Sequence, residues 1–157
     1  MKSELFRIIL VTSVLMLMPG VAIASDAAWR TLQAGGAIAL LRHTRAPGTG
    51  DPSNFDLNDC ATQRNLSAEG RAQARNIGLQ FGEKRVPVER VLSSRWCRAL
   101  ETARLAFGMA EGFPPLDSFF AEREQEERQT QAVRATIQAW RSPAFWRSSL
   151  IRSTSRA

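Results

Sequence analysis

The pattern of apolar and polar positions divides this chain of 157 residues into a short apolar leader and one region of strands and helices. Residues 37–41 are a compact apolar run of strand length, which predicts a strand buried on both faces. Residues 90–93 predict a second short strand. Apolar side chains at helical spacing predict helices over residues 68–81, 96–107 and 124–140, after a helical lead-in over residues 25–35.

Residues at the ends of these segments favour the same boundaries. Ser67 is a good N-cap for the helix that follows it, and Gly108 is a typical stop for the next one. Residues 45–65 are rich in Gly, Pro, Asp and Asn, which predicts a long surface loop of the kind that often carries function. The order strand, helix, strand, helix, helix predicts an α/β fold with a mostly parallel sheet.

The first residues have the features of a signal peptide. The basic residues Lys2 and Arg7 precede an apolar run over residues 8–18. Ala-Ile-Ala at residues 22–24 is a typical cleavage site. The run is shorter than the roughly 20 residues that span a bilayer. We therefore predict that residues 1–24 are removed and that the chain is periplasmic or secreted, touching the membrane only in transit. An uncleaved anchor is the alternative.

Two cysteines, Cys60 and Cys97, remain in a chain that is bound for an oxidising compartment. An even pair in such a compartment predicts one disulfide. Two buried thiols are the alternative, because a bridge forms only where the two Cα atoms lie close together.

The charge balance gives little support to a nucleic-acid partner. The whole chain carries 21 basic and 15 acidic residues, and several of the bases lie in residues 142–157, which contain no acid. Elsewhere the bases are interspersed with acids. A basic face of the kind that binds nucleic acid is therefore not expected.

Charged side chains follow both predicted strands. Arg42 and His43 stand at the end of the first, and residues 93–98 (Ser-Ser-Arg-Trp-Cys-Arg) follow the second. Because ligands of open α/β sheets bind beyond the carboxyl ends of the strands, these side chains are expected to meet at one edge. A guanidinium matches the oxygens of a phosphate, and a neutral imidazole is a competent nucleophile. The pattern indicates attack by a histidine on a phosphate that arginines hold.

Three motifs, in this order, resemble the histidine phosphatase (phosphoglycerate-mutase-like) superfamily and especially its small exported members. They are Leu-Leu-Arg-His at residues 40–43, Leu-Ser-Ala-Glu-Gly-Arg-Ala-Gln-Ala at 66–74 and Val-Leu-Ser-Ser-Arg-Trp-Cys-Arg-Ala-Leu-Glu-Thr-Ala at 91–103. The resemblance implies helices on both faces of the sheet and a phosphomonoester hydrolase acting through a phosphohistidine. It implies a small phosphorylated substrate and neither metal nor cofactor. His43 would be the nucleophile, with Arg42 and Arg98 as phosphate ligands.

The resemblance also implies a carboxylic acid that protonates the leaving oxygen. Our candidate is Glu122. Its competitors in the same stretch are Asp117, Glu124 and Glu126, and none of the four matches the family's motif cleanly. A solvated helix start is the alternative interpretation of residues 122–128.

The chain departs from the family towards its C-terminus. The superfamily needs a second histidine on a later strand, and this chain has one histidine in all. Residues 142–157 contain five Ser, three Arg and one Trp where an apolar strand is expected. With allowed codon choices, a shifted reading frame turns them into P-G-V-L-A-V-I-T-H-Q-V-N-I-T-G. We therefore expect residues 25–141 to be an incomplete domain that lacks its final strand or strands, followed by an out-of-frame tail. A divergent, truncated relative is the alternative.

The missing histidine changes the expected activity. Binding of phosphate by the two arginines does not require it, but turnover should be impaired. The alternatives to an impaired hydrolase are a pseudoenzyme that binds phosphorylated ligands and a non-functional gene fragment.

Overall fold

The computed structural model of the chain describes residues 26–140. In chain order the elements are helix α1 (Asp26–Gln33), helix α2 (Ala68–Glu83), strand β1 (Leu92–Ser93), helix α3 (Cys97–Phe107), strand β2 (Glu111–Gly112) and helix α4 (Glu126–Ala139). Short 3-10 turns lie at Cys60–Thr62, Pro114–Leu116 and Arg123–Gln125. The predicted signal peptide, residues 1–24, and the predicted tail, residues 142–157, lie outside the described residues.

Helices α2 and α3 form the main packed pair. Ala74 of α2 and Ala103 of α3 are buried. Gly78 lets the two backbones approach closely, because a Cβ at that position would collide with the carbonyl oxygen of Ala106. Phe81 extends the contact, with its ring edge-on to Phe107 at 5.1 Å between centroids and to Trp29 of α1 at 5.6 Å.

The ends of α2 and α3 agree with the signals in the sequence. The Ser67 hydroxyl accepts a hydrogen bond from the Gly70 N–H, as an N-cap does. Gly108 ends α3 with a φ of 72°, a left-handed conformation that favours glycine. Both helices are confirmed within two residues of the predicted ends.

The fourth helix is shorter than predicted. Residues 124–140 were expected to be one helix, but α4 covers Glu126–Ala139, and a 3-10 turn precedes it. Without a side-chain cap at Gln125, nothing fixes a sharp α-helical start.

The sheet consists of one parallel pair within the described range. Leu92 lies opposite Glu111, and Ser93 opposite Gly112. Strand β1 lies inside the predicted second strand, whereas β2 was not predicted, because Glu-Gly carries no apolar alternation. The α/β class with helices on both faces stays a prediction.

The prediction of a buried strand at residues 37–41 is wrong for this structure. In residues 26–140 no backbone hydrogen bond joins this segment to another one. Leu40 is 75% exposed, and Ile38 and Leu41 are also exposed. A strand is stable only when a neighbour binds its backbone groups, and here no described neighbour does so.

The described helices include none long and apolar enough to cross a membrane.

Candidate functional site

A broad cleft of about 1650 Å³ opens along the segment that carries His43. Its polar wall includes His43 and the guanidinium groups of Arg42, Arg64 and Arg98. The lining also includes aromatic side chains from the segments on either side of α4, namely Phe119, Phe120 and Trp140. The structure thus brings together the histidine and both arginines that the sequence pointed to, and adds a third arginine.

The imidazole of His43 is held in one tautomer. Its Nδ1 lies 2.7 Å from the carbonyl oxygen of Thr44. A carbonyl oxygen only accepts hydrogen bonds, so Nδ1 carries the proton when the ring is neutral. The lone pair is then on Nε2, which is the atom available to attack a ligand.

Thr44 anchors the backbone beside the histidine to helix α3. The Thr102 hydroxyl donates to the Arg98 carbonyl oxygen at 2.7 Å, so it can only accept from Thr44. Both the backbone N–H and the hydroxyl of Thr44 lie 3.2 Å from it. Because Thr44 and Thr102 are both buried, these bonds are sheltered from water and fix the position of His43.

The surroundings of His43 favour its neutral form. Partial burial lowers the pKa of the imidazole, and the positive charges of Arg98, Arg64 and Arg42 lower it further. The hydrogen bond to Thr44 acts in the opposite direction but does not cancel them. The pKa of His43 therefore lies below its ordinary value, and at neutral pH the ring is an uncharged nucleophile.

Arg98 is not free in this structure but is paired with Asp51 from the long loop. Its two terminal nitrogens lie 2.7 and 3.2 Å from the two carboxylate oxygens. Asp51 also accepts hydrogen bonds from the Trp96 indole at 3.0 Å and the Arg64 N–H at 3.1 Å. Burial alone would raise the pKa of Asp51, but these bonds outweigh it and hold the pKa below its ordinary value.

Arg64 closes the long loop on itself. Its Nε donates to the Gly50 carbonyl oxygen at 2.8 Å, and its Nη1 donates to the carbonyl oxygen of Ala46. These two bonds join the end of the loop to its beginning. They hold the guanidinium against the cleft that contains His43.

The same loop is tied to the start of α3. A disulfide joins Cys60 to Cys97, with 5.7 Å between the Cα atoms. Beside it the buried Gln63 accepts a hydrogen bond from the Cys97 N–H at 2.9 Å and donates to two loop carbonyls. Arg98, the next residue of α3, is therefore held in register with the loop that supplies Asp51 and Arg64.

The remaining predicted ligand, Arg42, is exposed at the rim of the cleft. Its side chain forms no hydrogen bond or ion pair with any other residue in the described range. Among residues 26–140, Arg42 therefore has no partner that an anion would have to displace, whereas Arg98 already holds a carboxylate.

Glu122, the candidate acid, lines the same cleft but is exposed to solvent. Its carboxylate accepts a hydrogen bond from the Gln125 side chain at 3.2 Å. Its role as the acid stays a prediction.

Asp117, a competitor for that role, is buried and fully engaged. It accepts hydrogen bonds from the backbone and the side chain of Arg95, each at 2.7 Å, and from the Ser94 hydroxyl. Its oxygens are occupied by these donors, so in this structure Asp117 does not face a ligand as a free acid.

Sequence reasoning missed Asp51 and Arg64. The composition of residues 45–65 indicated a functional loop but not which of its many polar residues face the cleft. Arg64 lies two residues before the start of the second motif at Leu66, outside the motif itself. Asp51 is one of several acidic residues in the loop. Only the folding of the loop onto α3 distinguishes them.

In the part of the chain that the structure describes, no three His, Cys, Asp or Glu side chains are grouped so that they could hold a metal ion.

Comparison with known proteins finds no match to the chain among protein-family models, curated proteins or solved structures.

Proposed function

We propose that this chain is a phosphomonoester hydrolase of the histidine phosphatase type, with His43 as the nucleophile and an impaired turnover. The observation that carries the proposal is the state of His43: a neutral ring whose proton is on Nδ1, whose Nε2 has no hydrogen-bond partner among the described residues, and on which the charges of Arg42, Arg64 and Arg98 act. Three guanidinium charges near an uncharged imidazole favour binding of an anion beside the ring.

The proposed first step is transfer of the phosphoryl group to His43. The Nε2 lone pair attacks phosphorus, an N–P bond forms, and the P–O bond to the leaving group breaks with its electron pair. The ring is then a phosphohistidine that still donates its Nδ1 proton to Thr44. In the second step water attacks phosphorus, the N–P bond breaks, and inorganic phosphate leaves.

The arginines support this step through charge. Phosphoryl transfer depends mainly on positioning and on stabilising charge that spreads over the phosphate oxygens. A guanidinium keeps its charge at every relevant pH and binds two oxygens at once. Arg42 is unpaired within the described residues, and Arg98 can exchange its carboxylate partner for a phosphate.

Slow turnover follows from what the chain does not supply. It contains one histidine, and the resemblance implies a second that shares the transferred group. Asp51 and Asp117 are both held by arginines, and the proposed acid, Glu122, is exposed to solvent at the cleft. A leaving group that needs no proton should therefore react far faster than an alkyl phosphate.

The test is pre-steady-state kinetics of the oxidised chain with p-nitrophenyl phosphate, whose leaving group needs no acid. The proposal predicts a burst of nitrophenolate of up to one equivalent per chain, followed by slow release of phosphate. The matched control is His43→Asn, which keeps a hydrogen-bonding side chain and should show no burst. A His43→Asn variant that reacts like the wild type would overturn the proposal.

A second candidate is a binding module for phosphorylated ligands. The engagement of Asp51 and Asp117 by arginines favours it, because their oxygens are already occupied by guanidinium donors. Such a module would bind inorganic phosphate with the same arginines but give no burst. Measuring binding and burst on one preparation separates the two.

We also propose that the chain is exported. The disulfide between Cys60 and Cys97 supports this, because such bonds persist in oxidising compartments and are rare in the cytosol. Fractionation of cells that express the full chain tests it, with the periplasmic or secreted fraction as the expected location.

A further inference from the structure

We propose that Arg64 is a third phosphate ligand, and that with Arg42 it matches the site to a dianionic phosphomonoester. This inference rests on the proposed function, because it concerns the same cleft. Neither the motifs in the sequence nor the resemblance assigns a ligand role to Arg64.

The hydrogen bonds of Arg64 leave donors free. A guanidinium has five N–H groups, and the bonds to the carbonyl oxygens of Gly50 and Ala46 use Nε and Nη1. Nη2 has no hydrogen-bond partner among residues 26–140. Both partners are neutral carbonyls that orient the group, and the nearby Asp51 carboxylate acts on its charge without forming an ion pair with it.

The other arginines near the loop differ in this respect. Arg98 is paired with Asp51, Arg95 with Asp117 and Arg45 with Glu69. Among the arginines of the cleft that the structure describes, Arg42 and Arg64 form no ion pair with a carboxylate, although the charge of Asp51 acts on Arg64. Two guanidiniums without an ion-pair partner beside a neutral histidine suit the two negative charges of a phosphomonoester at neutral pH better than the single charge of a diester.

Arg64 is also held ready for a ligand. Two backbone carbonyls fix its side chain, so binding an anion requires little further loss of side-chain freedom. The pKa of Arg64 reflects its neighbours: burial and then the charge of Arg98 lower it, while the charge of Asp51 acts in the opposite direction without cancelling them. The charge of Arg64 in turn lowers the pKa of His43.

The experiment measures binding of inorganic phosphate to the oxidised chain by calorimetry, together with the pKa of His43 by NMR. Arg64→Gln removes the charge but keeps an amide that can donate to a loop carbonyl. It should weaken phosphate binding about tenfold or more, in line with loss of a charge-assisted hydrogen bond, and raise the pKa of His43. Arg64→Lys, which keeps the charge, should retain more affinity than Arg64→Gln.

The matched control is Arg45→Gln, which removes an exposed arginine of the same loop that is paired with Glu69. It should bind phosphate as the wild type does. Dimethyl phosphate, a monoanion, tests the charge match: the wild type should bind it more weakly than phosphate, and Arg64→Gln should narrow the difference.

The outcomes separate this inference from the function on which it rests. If the wild type binds phosphate and Arg64→Gln binds it equally well with an unchanged His43 pKa, Arg64 only closes the loop and the inference is wrong. Equal losses in the Gln and Lys variants would likewise make Arg64 a purely structural clamp. If the wild type binds no phosphate, the inference and the proposed function both fall. Should Arg64→Gln unfold, saturating phosphate must shift the side-chain NMR signals of Arg64 in the wild type, and unshifted signals overturn the inference.

Discussion

The reactivity of His43 depends on which ring nitrogen keeps its proton and at what pH the ring becomes charged. Thr44 decides the first point by accepting a hydrogen bond from Nδ1. Burial and three guanidinium groups decide the second by disfavouring the imidazolium. Because His43 is the one histidine of the chain, both properties can be measured without a background from other rings.

The pKa of His43 should lie below that of the unfolded chain, which is about 6.5. The neutral ring should predominate above the lowered pKa, and formation of phosphohistidine should fall as the pH drops through it. The folded state binds this proton less tightly than the unfolded chain does. The contribution of His43 to the free energy of unfolding is therefore fully present above its pKa in the unfolded chain. It is lost as the pH falls through its lower pKa in the folded chain. NMR titration of the ring, with the chain in urea as the control, checks the shift; a folded pKa at or above that of the control contradicts it.

Asp51 should matter for stability as well as for the site. Asp51→Asn leaves Arg98 buried without its carboxylate, and we expect a loss of about 2–3 kcal/mol in the free energy of unfolding at neutral pH. Its folded pKa is lowered, so its stabilisation is present above the unfolded pKa and is lost as the pH falls through the folded value. Urea denaturation of wild type and variant at neutral and acid pH measures both effects.

The control for Asp51 is Glu111→Gln, which breaks the exposed pair between Glu111 and Arg90. Solvent screens that pair, so little change in stability is expected. Equal effects of the two substitutions would mean that the Asp51 pair is no stronger than a surface contact.

The sequence predicts part of the site at the scale of residues. The predicted strand ends drew attention to Arg42, His43 and the segment that contains Arg98, and the resemblance of the three motifs singled these residues out. Asp51 and Arg64 could not be found in this way, because their positions depend on bonds across the loop and to α3, which leave no periodic pattern in the sequence.

At the scale of elements, the close packing of α2 on α3 can be tested by a single substitution. Gly78→Ala places a Cβ against the Ala106 carbonyl oxygen and should lower stability by about 1–3 kcal/mol. The matched control is Gly82→Ala in the same helix, where a Cβ has no heavy atom within 4 Å and alanine should be neutral or slightly stabilising. Thermal unfolding of the pair checks this, and equal melting temperatures would contradict the packing.

Helices were more predictable than strands, for a physical reason. The backbone bonds of α2 and α3 lie within each helix, so apolar spacing and the local caps at Ser67 and Gly108 are enough to define them. A strand depends on a neighbour that may be distant in sequence. Residues 37–41 have the composition of a buried strand, yet no described neighbour binds them, and β2 pairs with β1 despite its polar composition.

At the scale of the whole molecule, the disulfide couples the long loop to α3. Cys60 and Cys97 are 37 residues apart in the sequence. Cys60 lies in the same loop as Arg64, and Cys97 directly precedes Arg98 in α3. Replacing both cysteines by serine should cost about 2–4 kcal/mol of stability. It should also weaken phosphate binding, because Arg64 and Arg98 are then less firmly held in register.

Denaturation and phosphate titration of the double variant test this coupling. Wild type treated with a reductant is the control and should behave like the double variant. Reduced wild type that keeps its full stability and affinity would mean that the hydrogen bonds of Gln63 and Asp51 alone hold the loop in place.

The most direct test of the central claim is to find where the phosphoryl group goes. The chain, labelled with nitrogen-15 at histidine, is mixed with p-nitrophenyl phosphate, and its one imidazole is observed by NMR under alkaline conditions that preserve phosphohistidine. The account predicts a phosphoryl group on Nε2 of His43. An imidazole that stays unmodified while nitrophenolate is released, or one modified at Nδ1, would contradict it.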